Sequence, residues 1–509
     1  MTTEIRNLGY YAGGRQEISA TTTYMDCFDP STGEVIARAP QCLPAEVEEA
    51  VAAAAAAYPA WSSTPVTKRV QVLFRLKALM DARLDELAEL TAREHGKVWD
   101  EAMGDVLKAI EVVEYACGAP SLMQAPALMD CSPGYDTAQY RESLGVFAGI
   151  VPWNFPAMIP MGWMAPLCVA TGNTMVIKAA SYTPQTAMRI MELWAEAGLP
   201  PGVLNLVTCS RAEAELLLRH PAIVGVSFVG STSVGRHIYE TAAAAGKRVQ
   251  CLTEAKNHAL VLSDAAVERT AAGIVNSACG CAGERCMALP VVVAEEAIAD
   301  ELVASLRRRM EGLRIGPAYD KASRLGPLVN AEHRRSVEAW IRKGVDEGAE
   351  LVLDGRGVSV PGYEGGFYLG PTLFDRVAPG MSIGEREIFG PVLCVKRVRD
   401  FDEGLAVMNA SEFANGSVIY TRSGYHAREF ARRTHGGMVG VNVGIPVPLG
   451  LFGFTGRKAS FFGDLHAMGP DGVRFYTDLK SVTSHWFSDE EAREGFVLNS
   501  WDGMIATAR

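Results

Sequence analysis

Ser227-Phe228-Val229-Gly230-Ser231-Thr232-Ser233-Val234-Gly235 is an apolar strand end, a turn of glycine and hydroxyl residues, and the opening of a helix. Where short apolar runs alternate with helical patterns, such a junction is the repeating unit of a doubly wound α/β domain. Apolar runs fall at 145–151, 174–178, 203–207, 224–229 and 259–262. Helical patterns at 183–197 and 233–245 supply the crossovers that parallel strands require. Ligands in such folds bind at the carboxyl ends of the strands. Backbone N–H groups at the helix start can hold a pyrophosphate, and Gly230 permits close approach. The turn is neither a G-x-G-x-x-G fingerprint nor a Walker A sequence, which would end in Gly-Lys-Ser/Thr. On its own it is equally a strand-to-helix connection without a ligand.

Residues 10–40 read as short strands around the turn Asp29-Pro30-Ser31-Thr32-Gly33. Pro44 suits a first helical turn, and the alanine-rich run 45–57 predicts a helix ending before Pro59. Two amphipathic stretches, 67–94 and 98–116, predict further helices. Residues 125–140 lack a helical period and precede a strand, as an arm reaching another subunit would. From 264 to 463 the strand and helix alternation resumes, predicting a second α/β domain.

At 509 residues the chain is too long for one core, and two or three domains are expected. The 48 basic and 59 acidic residues leave a net charge of −11, which argues against non-specific nucleic-acid binding. The opening MTTEIRNLGYYAGG has neither a basic n-region nor an apolar h-region, so no signal peptide is expected. Without an apolar run of about 18 residues, no membrane span is expected either. Eleven scattered cysteines fit free thiols in a reducing cytoplasm.

One cysteine stands apart, in Gly280-Cys281-Ala282-Gly283-Glu284-Arg285-Cys286-Met287. Cys286 follows a glycine-containing turn and an arginine, so positive charge and backbone N–H groups can stabilise its thiolate. It is the candidate nucleophile; the alternative is a thiol that fills a core gap. Cys279, Cys281 and Cys286 raise the question of a metal, but the C-x-C spacing lacks a second Cys or His pair, and none is expected. In Val151-Pro152-Trp153-Asn154-Phe155-Pro156 a single amide stands among rigid apolar residues. Asn154 either donates to an oxyanion or caps the next turn. With the Cys286 backbone N–H, an amide donor would stabilise a tetrahedral thiohemiacetal.

Asp29-Pro30-Ser31-Thr32-Gly33, 152–156, 227–235, 283–287 and Glu387-Ile388-Phe389-Gly390-Pro391 occur in the order found in the aldehyde dehydrogenase superfamily, which the chain resembles over nearly its whole length. Within it, 230–239, Ala255-Lys256-Asn257-His258, 283–288, 442–448 and 475–486 resemble the CoA-acylating, methylmalonate-semialdehyde dehydrogenase branch. The resemblance implies two doubly wound α/β domains plus a small β oligomerisation arm. Residues 1–124 and 142–262 would bind NAD(P), 263–463 would form the catalytic domain, and 125–141 with 464–509 would assemble a homodimer or homotetramer. It also implies that Cys286 attacks the aldehyde and Asn154 holds the oxyanion, and that hydride passes to the nicotinamide to leave a thioester on the enzyme. Lys178 and Glu387 would hold the adenine-side and nicotinamide-side riboses, and Phe389 would pack near the nicotinamide. Gly230 and Ser231 would meet the pyrophosphate, with Pro152, Trp153, Ser181 and Leu252 completing the cofactor site.

The chain departs from the superfamily pattern at four places. Hydrolytic members carry a general base as the first residue of a Glu-Leu-Gly-Gly-Lys run; here Leu252-Thr253-Glu254-Ala255-Lys256 puts leucine there. Water attack should then be slow, and the CoA thiolate can win. Thr253 and Glu254 replace small glycines near the nicotinamide, and Glu254 either points away as a structural change or serves as a displaced base. Of the two arginines that bind the substrate carboxylate in the acylating branch, one matches Arg285. The other falls on Lys108, which keeps the charge but loses the bidentate fork; Lys108 is equally read as a solvated helix residue. Finally, Lys178-Ala179-Ala180-Ser181 lacks the glutamate that repels a 2′-phosphate, so NAD and NADP are both open. The expected activity is NAD(P)-dependent oxidation of a malonate- or methylmalonate-type semialdehyde with acyl transfer to CoA. The alternatives are hydrolysis of another aldehyde's acyl group to a free acid, and a non-redox descendant with a blocked nicotinamide pocket.

Overall fold

Val146–Ile150, Thr174–Lys178, Leu204–Val207 and Ile223–Val229 are buried along nearly their whole length, as parallel strands covered on both faces must be. In the computed structural model, which describes residues 5–494, they form the centre of an eight-stranded sheet. Its order is Phe461–Gly463, Arg248–Leu252, Ile223–Val229, Val146–Ile150, Thr174–Lys178, Leu204–Val207, Tyr10–Ala12, Arg15–Glu17. The five strands from Arg248–Leu252 to Leu204–Val207 are parallel, and antiparallel strands close both edges. Strand order runs in opposite directions on the two sides of Val146–Ile150. The loops leaving Val146–Ile150 and Ile223–Val229 therefore flank the crevice where doubly wound sheets bind ligands.

A second, seven-stranded sheet follows the order Glu350–Leu353, Thr372–Asp375, Val392–Val398, Val291–Glu295, His258–Val261, Gly416–Tyr420, Met438–Val441. Two sequence expectations change here. The run at 259–262, expected in the first sheet, is the central strand His258–Val261 of the second. Its place is taken by Arg248–Leu252, whose mixed Arg-Val-Gln-Cys-Leu composition hides a strand buried over Val249, Gln250, Cys251 and Leu252. The five residues between these two strands carry the chain from one sheet to the other. The stretch 263–463 is likewise not confined to the second sheet, because Phe461–Gly463 returns to pair with Arg248–Leu252.

Ala127–Ser132, Tyr135–Ser143 and Thr477–His485 form a separate antiparallel sheet, with Leu128, Met129 and Tyr140 exposed. The remainder of the expected C-terminal oligomerisation segment, 495–509, lies outside the described residues. The helix Pro44–Ser63 runs through Pro59 rather than ending before it. Its last turn is held because buried Trp61 donates Nε1–H to the Val169 carbonyl at 2.9 Å. The stretch 67–94 is two helices, Val66–Ala82 and Leu84–His95. No helix among the described residues is long and apolar enough to cross a membrane.

The entry to Pro44–Ser63 depends on one buried carboxylate. Glu46 accepts from Ser19 Oγ at 2.7 Å, from the Ala20 N–H at 2.7 Å and from the Leu43 N–H at 2.8 Å. Glu46→Ala should leave these donors unpaired and cost about 2–4 kcal/mol of stability, read from urea or thermal unfolding; an unchanged transition would contradict this account.

Candidate active site

The loop after Val146–Ile150 is fixed from beneath by a buried charge. Lys97 Nζ donates to the Asn154 carbonyl at 2.7 Å and to Asp105 Oδ2 at 3.1 Å, with both charged side chains fully buried. Asp105 Oδ1 in turn accepts the Met158 N–H at 2.8 Å. Asn154 is buried and its Nδ2 donates to the Glu284 carbonyl at 3.0 Å, which ties this loop to the one that carries Cys286.

That second loop begins where the helix Val267–Cys279 stops. Cys281 and Ala282 take left-handed conformations at φ 48° and 51°, followed by Gly283 at φ +76°. Two consecutive non-glycine residues there store backbone strain, so surrounding contacts must hold them. A Cβ on Gly283 would lie 2.1 Å from the Gly390 carbonyl oxygen, so only glycine permits this approach to the 387–391 loop. Glu101 supplies the clamp, accepting the Cys281 N–H at 2.7 Å and Arg285 Nη2 at 2.8 Å. Arg285 also donates Nε–H to Cys281 Sγ at 3.2 Å. Beyond the turn, Asn257 and Asn415 donate to the Cys286 carbonyl at 2.8 and 3.2 Å.

Cys286 is half-buried. Burial pushes its thiol up to about 12, and the Glu387 carboxylate pushes it the same way. The N–H groups of Cys286 and Met287 and the Arg285 guanidinium oppose this, as the sequence suggests, but are outweighed. The physical reason is that Arg285 is turned toward Glu101 and Cys281, while the thiol has lost much of its water.

At the crevice beside Ile223–Val229, the Gly230 N–H donates to the Leu252 carbonyl at 3.1 Å and the Thr232 N–H donates to Glu254 Oε2 at 2.9 Å. Glu387 Oε1 accepts the Ala255 N–H at 3.1 Å, and burial, reinforced by the Glu254 charge, pushes Glu387 up to about 8. Phe389 has φ 62°; its carbonyl accepts from His333 Nε2 at 2.7 Å and its ring meets Trp153 edge-on at 5.5 Å. Pro152 is half-buried, Leu252 buried and Ser231 exposed. On the next strand, Lys178 makes no side-chain hydrogen bond or ion pair among the described residues, and burial lowers its pKa. Ser181 Oγ accepts from Gln41 Nε2 at 3.0 Å.

The fold therefore joins Asn154 to the Cys286 loop through Glu284, and gathers Gly230, Leu252, Glu254 and Glu387 along one edge. Arg285 and Lys108 are drawn instead to carboxylates of one helix, Trp99–Cys117: Arg285 to Glu101, and Lys108 Nζ to Glu111 at 2.8 Å. Lys97, Glu101, Asp105, Glu284 and the two asparagines Asn257 and Asn415 escaped the sequence reading. A signal existed for two of them, since Glu101 and Asp105 are four apart and share a helix face with Lys108.

The sequence profile of the aldehyde dehydrogenase family matches residues 18–482. The chain is 47% identical over 484 residues to malonate-semialdehyde dehydrogenase 3 of Geobacillus kaustophilus (strain HTA426), covering 95% of this chain and all (100%) of that protein. It superimposes with a TM-score of 0.94 on a Sinorhizobium meliloti 1021 protein solved with NAD, at 42% identity over 96% of this chain and 99% of that one. With methylmalonate-semialdehyde dehydrogenase from Oceanimonas doudoroffii the TM-score is 0.93 at 41% identity, with the same coverage of 96% and 99%.

Only the thiolate is alkylated, and raising the pH toward about 12 increases its fraction. Iodoacetamide labelling of Cys286 in the cofactor-free protein, followed on its peptide by mass spectrometry, should accelerate roughly tenfold per pH unit between pH 7 and 10. A plateau below pH 9 would contradict the dominance of burial.

Proposed function

Because this chain belongs to the aldehyde dehydrogenase family, we propose that it oxidises a malonate- or methylmalonate-type semialdehyde and passes the acyl group to CoA. The relatives' names support the substrate class. The observation that carries the CoA step is Leu252. It is buried and apolar at the position where the resemblance places the hydrolytic base. In the cofactor-free protein the Glu254 carboxylate is engaged with the Thr232 N–H at the start of a helix.

In this reading Cys286 attacks the aldehyde carbon and carries the acyl group as a thioester. Asn154 has a second amide hydrogen beyond the one given to Glu284, and with the Cys286 N–H it would hold the oxyanion. The residues at the crevice fit a nicotinamide dinucleotide. Lys178 and Ser181 stand at the carboxyl end of one strand for the adenine-side ribose, and Gly230 and Ser231 open a helix for the pyrophosphate. Glu387 would take the nicotinamide-side ribose, with Pro152, Trp153 and Phe389 lining that end. When bound, the nicotinamide accepts the hydride lost by the aldehyde carbon. Ser181 presents no carboxylate to a 2′-phosphate, so NADP is admitted beside NAD. Lys108, the more exposed of the two cations, would meet the substrate carboxylate, with Arg285 holding the loop.

The eight-stranded sheet is assigned to cofactor binding and the seven-stranded sheet to catalysis. The exposed apolar residues of the three-stranded sheet suit an oligomerisation arm in a homodimer or homotetramer. Eleven free cysteines fit a reducing cytoplasm.

With malonate semialdehyde, steady formation of reduced nicotinamide should require CoA and yield an acyl-CoA identified by mass. Cys286→Ser should lower turnover by about a thousandfold or more. Steady turnover to free acid without CoA would overturn the acylating assignment.

A further inference from the structure

The helix Thr232–Ala244 begins without a cap from its own sequence, because the Ser231 side chain at the cap position makes no capping hydrogen bond. The donor at Thr232 is taken by Glu254 Oε2 from the segment that crosses between the two sheets. The backbone of that segment is fixed against 457–463. The Thr253 N–H donates to the Ser460 carbonyl at 3.0 Å, Thr253 Oγ1 to the Ala459 carbonyl at 2.6 Å, and Ser460 Oγ to the Glu254 carbonyl at 2.7 Å. On the helix side, a Cβ at Gly235 would come within 2.3 Å of the Thr253 methyl, so the segment lies directly on the first turn.

The Glu254 side chain is held far less firmly than its backbone. It is half-buried and makes no hydrogen bond other than that to Thr232 among the described residues. Rotation about its side-chain bonds would free the Thr232 N–H without moving the main chain.

We propose that Glu254 is an internal competitor of the dinucleotide: its carboxylate occupies the helix N-terminus that the cofactor pyrophosphate requires and must swing out before the cofactor seats. The proposal rests on the dinucleotide reading above. Both groups are anions seeking the same partial positive charge, and a tethered carboxylate is present at high effective concentration. Even when displaced, it leaves a negative charge beside the phosphates. The cofactor-free enzyme is therefore closed to its cofactor by its own side chain, and affinity is set by how easily Glu254 leaves.

Calorimetric titration of the full chain with NADH and, separately, with ADP-ribose tests this, because ADP-ribose carries the pyrophosphate without the nicotinamide. Glu254→Gly should bind both ligands roughly tenfold tighter or more. Glu254→Gln keeps an acceptor for Thr232 but loses the charge, and should tighten both by a smaller factor, about threefold. If the glycine variant has a collapsed thermal transition, the glutamine variant decides. Unchanged or weaker ADP-ribose binding in the deciding variant would overturn the proposal. So would tightening of NADH alone, which would put the effect of Glu254 at the nicotinamide. If neither ligand binds wild type or variant, the cofactor reading falls together with this one.

Discussion

A buried ammonium organises the site. Lys97 is fully buried with its Nζ shared between the Asp105 carboxylate and the Asn154 carbonyl, and a charge withdrawn from water in this way demands both partners. Asp105 belongs to the helix Trp99–Cys117, Asn154 to the loop after the central strand, and the Asn154 amide reaches the Glu284 carbonyl two residues before Cys286. One charge thus fixes the relative placement of a helix, the Asn154 loop and the loop that carries Cys286. The same helix contributes Glu101, whose two oxygens hold the strained turn at Cys281 and the guanidinium of Arg285. Removing one partner from such a pair typically costs about 3–5 kcal/mol, and here it would also release the geometry of the site.

Two buried groups behind Cys286, Glu284 and His95, are pushed toward their neutral forms. Burial drives the Glu284 carboxyl well above its ordinary range and holds the His95 imidazole well below its own. The thiol follows the same rule, since desolvation outweighs the nearby N–H dipoles and the arginine. Chemistry at Cys286 therefore depends on what reaches it from the crevice, where Glu387 and Glu254 stand close enough to influence each other. The Leu252 side chain offers no proton acceptor on that side.

Much of this is legible in the sequence because local chemistry is. A glycine turn after an apolar strand, an amide between prolines and a cysteine after Gly-Glu-Arg each announce themselves within ten residues, and the resemblance orders them along the chain. What escapes is long-range. The clamp from Glu101 to Cys281 spans 180 positions, and the bond from Asn154 to Glu284 spans 130. Neither leaves a local pattern. The exchange of Arg248–Leu252 for His258–Val261 in the first sheet escapes for another reason: a polar Gln250 is buried in one strand, and Ala259-Leu260-Val261 in the other is apolar and fully buried, like the strands of the neighbouring sheet. Arg285 shows a third limit, because adjacency to Cys286 in sequence does not decide which way a long side chain turns.

The central claim is that Cys286 carries an acyl group which this site transfers to a thiol and does not readily hydrolyse. Intact-protein mass spectrometry after one turnover with malonate semialdehyde and NAD, without CoA, tests it most directly. The account predicts a covalent adduct that maps to the Cys286 peptide, persists in buffer and disappears on adding CoA as acyl-CoA forms. An unmodified protein accompanied by free acid would contradict it.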